Sequence, residues 1–206
     1  MDVSKELRLK RGRFPESQFL DSTILVFPWQ RGEMAASVSS GGQLILWRRG
    51  DGDAANSTSA IFDGLSSHDP ANERWSALGG LATWAEASGE RWLCLITTDG
   101  DSRRLLAFRV LETNGKPDLK LAWRSETFMS IGAPVVGAGV VYFMANGGKG
   151  PAKLTALDAK TGALLLSTSE GLEASEISEG VALANGHLCF TSAEGTLYCF
   201  GLPLEI

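Results

Sequence analysis

Four copies of one short pattern, spread along the chain, constrain its fold more than any other feature. The copies are Leu44-Ile45-Leu46-Trp47, Leu105-Leu106-Ala107-Phe108, Leu154-Thr155-Ala156-Leu157 and Leu197-Tyr198-Cys199-Phe200. Each opens on Leu, has a small or aliphatic third residue and closes on a large apolar one. A second strand-like run precedes each copy, at residues 34–39, 92–97, 140–145 and 188–192. Turn residues separate the members of each pair: Gly41-Gly42, Asp99-Gly100, Gly147-Gly148 and Glu194-Gly195. Two apolar runs joined by such residues read as a β-hairpin. The leading leucines lie 61, 49 and 43 residues apart, which brackets the ~40–50 residues of a four-stranded repeat unit. Such a unit buries its faces only against neighbouring units, so it must be repeated.

The last two units match most closely. Val135-Val136-Gly137-Ala138-Gly139-Val140-Val141-Tyr142-Phe143 aligns with Ala182-Leu183-Ala184-Asn185-Gly186-His187-Leu188-Cys189-Phe190 at an offset of 47. The Leu154 and Leu197 segments are offset by 43, and a longer turn at residues 146–151 absorbs the difference, because loops tolerate insertion where strands do not. Helix signals are confined to residues 4–11 and 170–179. Residues 50–56 and 64–78 read as loops, the second unusually long.

Within the third unit, Leu154-Thr155-Ala156-Leu157-Asp158-Ala159-Lys160-Thr161-Gly162-Ala163-Leu164-Leu165 resembles the LxALDAxTGxxL signature of quinoprotein-like (pyrroloquinoline-quinone-type) β-propeller repeats. Residues 184–200 look like the next repeat of the same kind. Gly79-Gly80-Leu81-Ala82-Thr83-Trp84 and Leu121-Ala122-Trp123-Arg124-Ser125 also look like segments of bacterial proteins with this repeat. The resemblance is good over residues 132–201 and reaches the two earlier units by pattern alone. It implies an all-β chain of about four propeller blades, each a four-stranded antiparallel sheet, forming a partial or oligomer-completed ring. The expected blades span residues 23–63, 79–126, 132–170 and 180–201, after an N-terminal arm at residues 1–22. The last unit stops after its third strand at Phe200-Gly201, so residues 17–21 or 23–29 are offered as a closing fourth strand. Without one, the open faces need a partner. In the signature itself, Asp158 and Thr161-Gly162 suit a tight turn, since an Asp carboxylate bonds nearby N–H groups and Gly accepts positive φ. That role is structural, so the signature identifies a fold better than an activity.

Enzymes of the family hold pyrroloquinoline quinone and calcium with an acidic base, a stacking Trp and often a vicinal disulfide. This chain has no Cys-Cys pair, and Leu166 stands where a Trp commonly follows the turn, although Trp123 can fill that place one unit earlier. No cofactor, metal or catalytic residue is therefore assigned; the quinone and calcium enter only through the resemblance. The expected function is a non-catalytic scaffold or a ligand- or protein-binding module. The alternative is a fragment or degenerate relative of a quinone-dependent alcohol or sugar dehydrogenase. Self-association or a protein partner completes the propeller. Trp29, Trp75, Trp84 and Trp123 fall near strand ends and are the candidate binding-surface aromatics.

Other chemistry finds little support. His68-Asp69 has only His187 as a further histidine, which argues against a His-rich metal site. Asp51-Gly52-Asp53 and Asp99-Gly100-Asp101 lack the Glu that completes a calcium loop. Gly147-Gly148-Lys149-Gly150 lacks the Ser/Thr and upstream Gly of a phosphate loop. Asn56-Ser57-Thr58 is a sequon that chance explains. A net charge of −5 argues against a nucleic-acid footprint, and no apolar run approaches the ~18 residues of a membrane span. The first twenty residues lack the apolar core of a secretory signal. The family resemblance implies a periplasmic location, whereas a natural start at Met1 implies the cytoplasm. Three cysteines without a CxxC motif, Cys94, Cys189 and Cys199, are expected as free thiols, with Cys189 and Cys199 placed to face each other across the last hairpin.

Overall fold

Alternating apolar residues between turn signals fold here into four antiparallel sheets that follow one another in chain order. The computed structural model describes residues 24–30, 32–39, 43–48, 59–62, 76–99, 101–146, 151–170, 172 and 180–201. The first sheet has the order β1 (Leu25–Trp29), β2 (Gly32–Val38), β3 (Leu44–Arg48), β4 (Ser59–Phe62). The second runs β5 (Ser76–Ala85), β6 (Arg91–Asp99), β7 (Ser102–Thr113), β8 (Lys116–Arg124). In the third, the short β9 (Ser130–Ile131) caps β11 of a set β10 (Val135–Gly137), β11 (Val140–Asn146), β12 (Lys153–Asp158), β13 (Leu164–Thr168). The fourth has three strands among the described residues, β14 (Ala182–Ala184), β15 (His187–Thr191) and β16 (Leu197–Gly201). Among the described residues no sheet closes on itself.

Each of the four expected hairpins forms, and the leading leucines open or lie within their third strands. Two-residue turns with positive φ set the register of others. Asn114-Gly115 (φ 54° and 76°), Ala138-Gly139 (51° and 76°) and Asn185-Gly186 (50° and 74°) each carry the pair of left-handed residues that a type I′ turn requires. The last two hairpins pair alike, Gly137 opposite Val140 and Ala184 opposite His187, as their sequence alignment implies.

Three expectations are revised. Leu25–Trp29 pairs with β2 as the first strand of the first sheet, so it is not a closing strand for the fourth. Its apolar alternation places Phe27 and Trp29 on the packed face, which outweighs any role elsewhere. Ser76–Leu78 belongs to β5 instead of a loop, the strand bending through Gly79 and Gly80, where its register to β6 shifts. Of the helix expected at 170–179, Glu170 is a turn and Leu172 is not helical; the rest, like residues 4–11 and 17–21, lies outside the described residues. Among the described residues, no helix is long and apolar enough to cross a membrane.

Period-two side-chain alternation gives every sheet two faces. The forward face meets the next sheet in the chain and the rear face meets the previous one. Phe27, Met34, Ala36 and Leu46 on the first sheet pack against Leu93, Leu95, Leu106 and Phe108 on the second. The forward face of the second sheet, with Trp84, Trp92, Cys94 and Ala107, packs against Val141, Phe143 and Leu157 of the third. Met144 and Leu154 of the third meet Leu188 and Phe190 of the fourth. These three interiors are what hold the sheets in sequence. Trp123 adds a directed contact, because its Nε1–H donates to the Ala159 carbonyl at 2.9 Å across a sheet boundary.

Candidate functional site

The four leading leucines all point forward. Leu44, Leu105 and Leu154 are 0%, 0% and 4% exposed, because a following sheet covers each; Leu197 is 66% exposed. The same repeat position is therefore interior in three sheets and surface in the fourth. The rest of that face follows it: Ala182, Ala184, Thr191 and Cys199 are exposed, and His187 and Cys189 are half-buried. The small residues Ala182 and Ala184 lie on β14, which β15 separates from β16 and Leu197. At the far edge the His187 ring lies over Gly201, where an added Cβ would stand 2.5 Å from the imidazole carbon Cδ2. His187 Nδ1 is 3.0 Å from the Asn185 carbonyl.

The opposite end of the stack differs. On the rear face of the first sheet Ala35, Ser37 and Ile45 are buried, although Val26 on the inner strand is exposed. Leu164, Leu165 and Leu166 on the outer strand β13 are also exposed, but Leu121 on the outer strand β8 is exposed too. Exposure there recurs between units. Leu166 lies opposite Ala156 on the forward side of the third sheet, so the contrast rests on the leading leucines, of which Leu197 alone is exposed.

Cys189 and Cys199 correct the free-thiol expectation: they form a disulfide on this open face. The register places them directly opposite one another, with Cα atoms 4.2 Å apart. Ser192 donates its N–H to Thr196 O in the turn, so alternation along the ladder makes the cysteine pair a non-hydrogen-bonded one, where side chains approach most closely. Cys94 is a free thiol, as expected. Burial pushes its pKa up to about 12, with a smaller opposing effect from a hydrogen bond to the Ala82 backbone.

The tryptophans named from sequence do not gather on a surface. Trp29 is buried beneath the Arg48 guanidinium, whose carbon lies 4.8 Å from the ring centroid. Trp84 is buried and stacked on Trp92 at 5.5 Å between centroids. Trp123 is buried against the turn of the third sheet, and an added Cβ at Gly162 would stand 2.7 Å from its ring. Trp75 lies outside the described residues, as do His68, Asp69, Asp51-Gly52-Asp53, Asn56 and Gly147-Gly148-Lys149-Gly150. The three that can be placed are buried in packing contacts. Their spacing offered no means of telling packing from recognition, since a strand end is buried whenever a neighbouring sheet overlaps it.

The described side chains offer no fit for the quinone and calcium implied by the resemblance. Trp84 and Trp92 occupy each other's faces, and among the described residues no three His, Cys, Asp or Glu side chains converge as metal ligands. At Asp158, whose carboxylate was assigned a turn role, Oδ1 accepts from Thr161 N (2.8 Å), Thr161 Oγ1 (2.7 Å) and Lys160 N (3.1 Å). Chiefly the Thr161 hydroxyl, then the backbone donors, hold its pKa below the usual carboxylate value. That carboxylate is committed to its own turn.

No protein-family model and no curated protein matches the chain. Among solved structures, the computationally designed Ika4 protein aligns with 88% of this chain and 92% of its own, at 14% identity and a TM-score of 0.48.

Proposed function

We propose that this chain is a non-catalytic assembly module, an open arc of quinoprotein-like propeller blades whose last forward face docks a second copy of itself. One observation carries the reading: Leu197 is 66% exposed at a repeat position that a following sheet buries in each of the other three units. A face patterned for sheet packing and left in water retains an unspent apolar driving force. The buried rear residues Ala35, Ser37 and Ile45 disfavour head-to-tail docking onto the first sheet. Pairing of fourth sheet with fourth sheet about a two-fold axis suits the relief, because it covers Leu197 of both copies at once. Such isologous dimers are the commonest symmetric assemblies.

The test uses two lysine substitutions at exposed leucines. Leu197→Lys is expected to abolish self-association while leaving the thermal midpoint of the monomer unchanged. Leu165→Lys, on the outer strand, is expected to leave association intact. Sedimentation velocity that showed equal association for wild type and Leu197→Lys would overturn the proposal.

A further inference from the structure

We infer that the Cys189–Cys199 disulfide is a thiol–disulfide exchange site for dithiol reductants, and that its redox state controls docking at the face that carries it. The second part rests on the docking reading above; the first does not. The pair lies on the forward face, Cys199 is exposed, and β16 pairs with β15 alone among the described residues. A thiolate therefore has an open approach to the Cys199 sulfur without prior unfolding.

Exchange begins when one thiolate of the dithiol attacks Cys199 Sγ. The protein S–S bond breaks, and Cys189 Sγ leaves as a thiolate that takes up a proton. The second thiol of the reductant then attacks the mixed disulfide, closing a reductant disulfide and releasing Cys199, which is protonated in turn. Two electrons and two protons pass from the dithiol to the protein.

The second sheet shows what docking does to sulfur at this place. Cys94 pairs with Ala107, which holds the same position after its leading Leu as Cys199 does. With the third sheet covering it, Cys94 is 0% exposed. A docked copy would likewise close the approach to Cys189 and Cys199. Reduction acts in the reverse direction. Unbonded sulfurs cannot remain at bonding distance, so reduction moves the two side chains apart and changes the shape of the face that an incoming sheet meets. By linkage, a reduced state that docks less well is itself disfavoured in the dimer by the same factor.

The experiment treats the full chain with dithiothreitol without denaturant, alkylates it and weighs it intact, with parallel light scattering. Two alkyl groups are expected under native reducing conditions, none without reductant, and a third only after denaturation, when Cys94 opens. No uptake before denaturation, or three groups together, would overturn the exchange site. Dimer mass is expected to fall to monomer on reduction, and the Cys189→Ser/Cys199→Ser variant is expected to ignore dithiothreitol. Two groups taken up with no change of mass would overturn the redox control alone. A monomer under oxidising conditions at every concentration would overturn the docking reading and the control with it, leaving the exchange result to stand by itself.

Discussion

Asp158, Thr161 and Gly162 show how closely single residues can fix a turn. The Asp carboxylate gathers three donors, while Gly162, at φ 72°, lies against the Trp123 ring with no room for a Cβ. Gly162→Ala therefore meets both a left-handed backbone and an aromatic face. A loss of about 2–4 kcal/mol is expected in urea unfolding; a loss below the error of that measurement would contradict the packing described. The Asp158 pKa is lowered from 3.8 in the fold, so its contribution is full above that value and disappears as pH falls through the lower folded value. Urea midpoints should accordingly decline below pH ~4. Thr161→Val, which removes the leading hydroxyl donor, should flatten that decline; an identical pH profile would show that the hydroxyl is not what favours the charged form. The carboxylate is exposed, so the effect is expected to be small. This turn was legible in the sequence because its donors lie two and three residues from the acceptor. The disulfide was only half legible: spacing made Cys189 and Cys199 face each other, but whether the sulfurs bond depends on the ladder phase that makes them a close pair.

Strands and hairpins were the most readable level, because period-two alternation and Gly or Asn turns are local signals. Thr113-Asn114-Gly115-Lys116 formed a further hairpin of the same kind, recognisable from its Asn-Gly. β1 was harder to place. Its five residues alternate correctly for any sheet edge, and only pairing with β2 decides which. β5 was read short because Gly79-Gly80 marks a bend inside a strand as readily as the end of a loop. The contact from Trp123 to Ala159 joins elements 36 residues apart and leaves no local trace. Trp123→Phe keeps the ring but leaves the buried carbonyl without that donor. A cost of about 1–3 kcal/mol is expected, measured by thermal or urea unfolding; a neutral effect would mean that the indole serves by bulk alone.

At the scale of the molecule, repetition made the order of sheets readable, since each unit needs a neighbour to bury its faces. What the far end of the stack does was not readable, because Leu44, Leu105, Leu154 and Leu197 are alike in sequence and differ only in what lies over them. The burial of Trp29, Trp84 and Trp123 was not readable for the same reason, since no local pattern specifies which strand ends a neighbouring sheet overlaps. The proposed docking depends on the exposed forward face of the fourth sheet. Its most direct test is the solution mass of the oxidised chain by light scattering over a series of concentrations. The account predicts a rise from one to two chain masses and no further, as a single open face allows. A single chain mass throughout would contradict it, and growth beyond two would show that a second face associates as well.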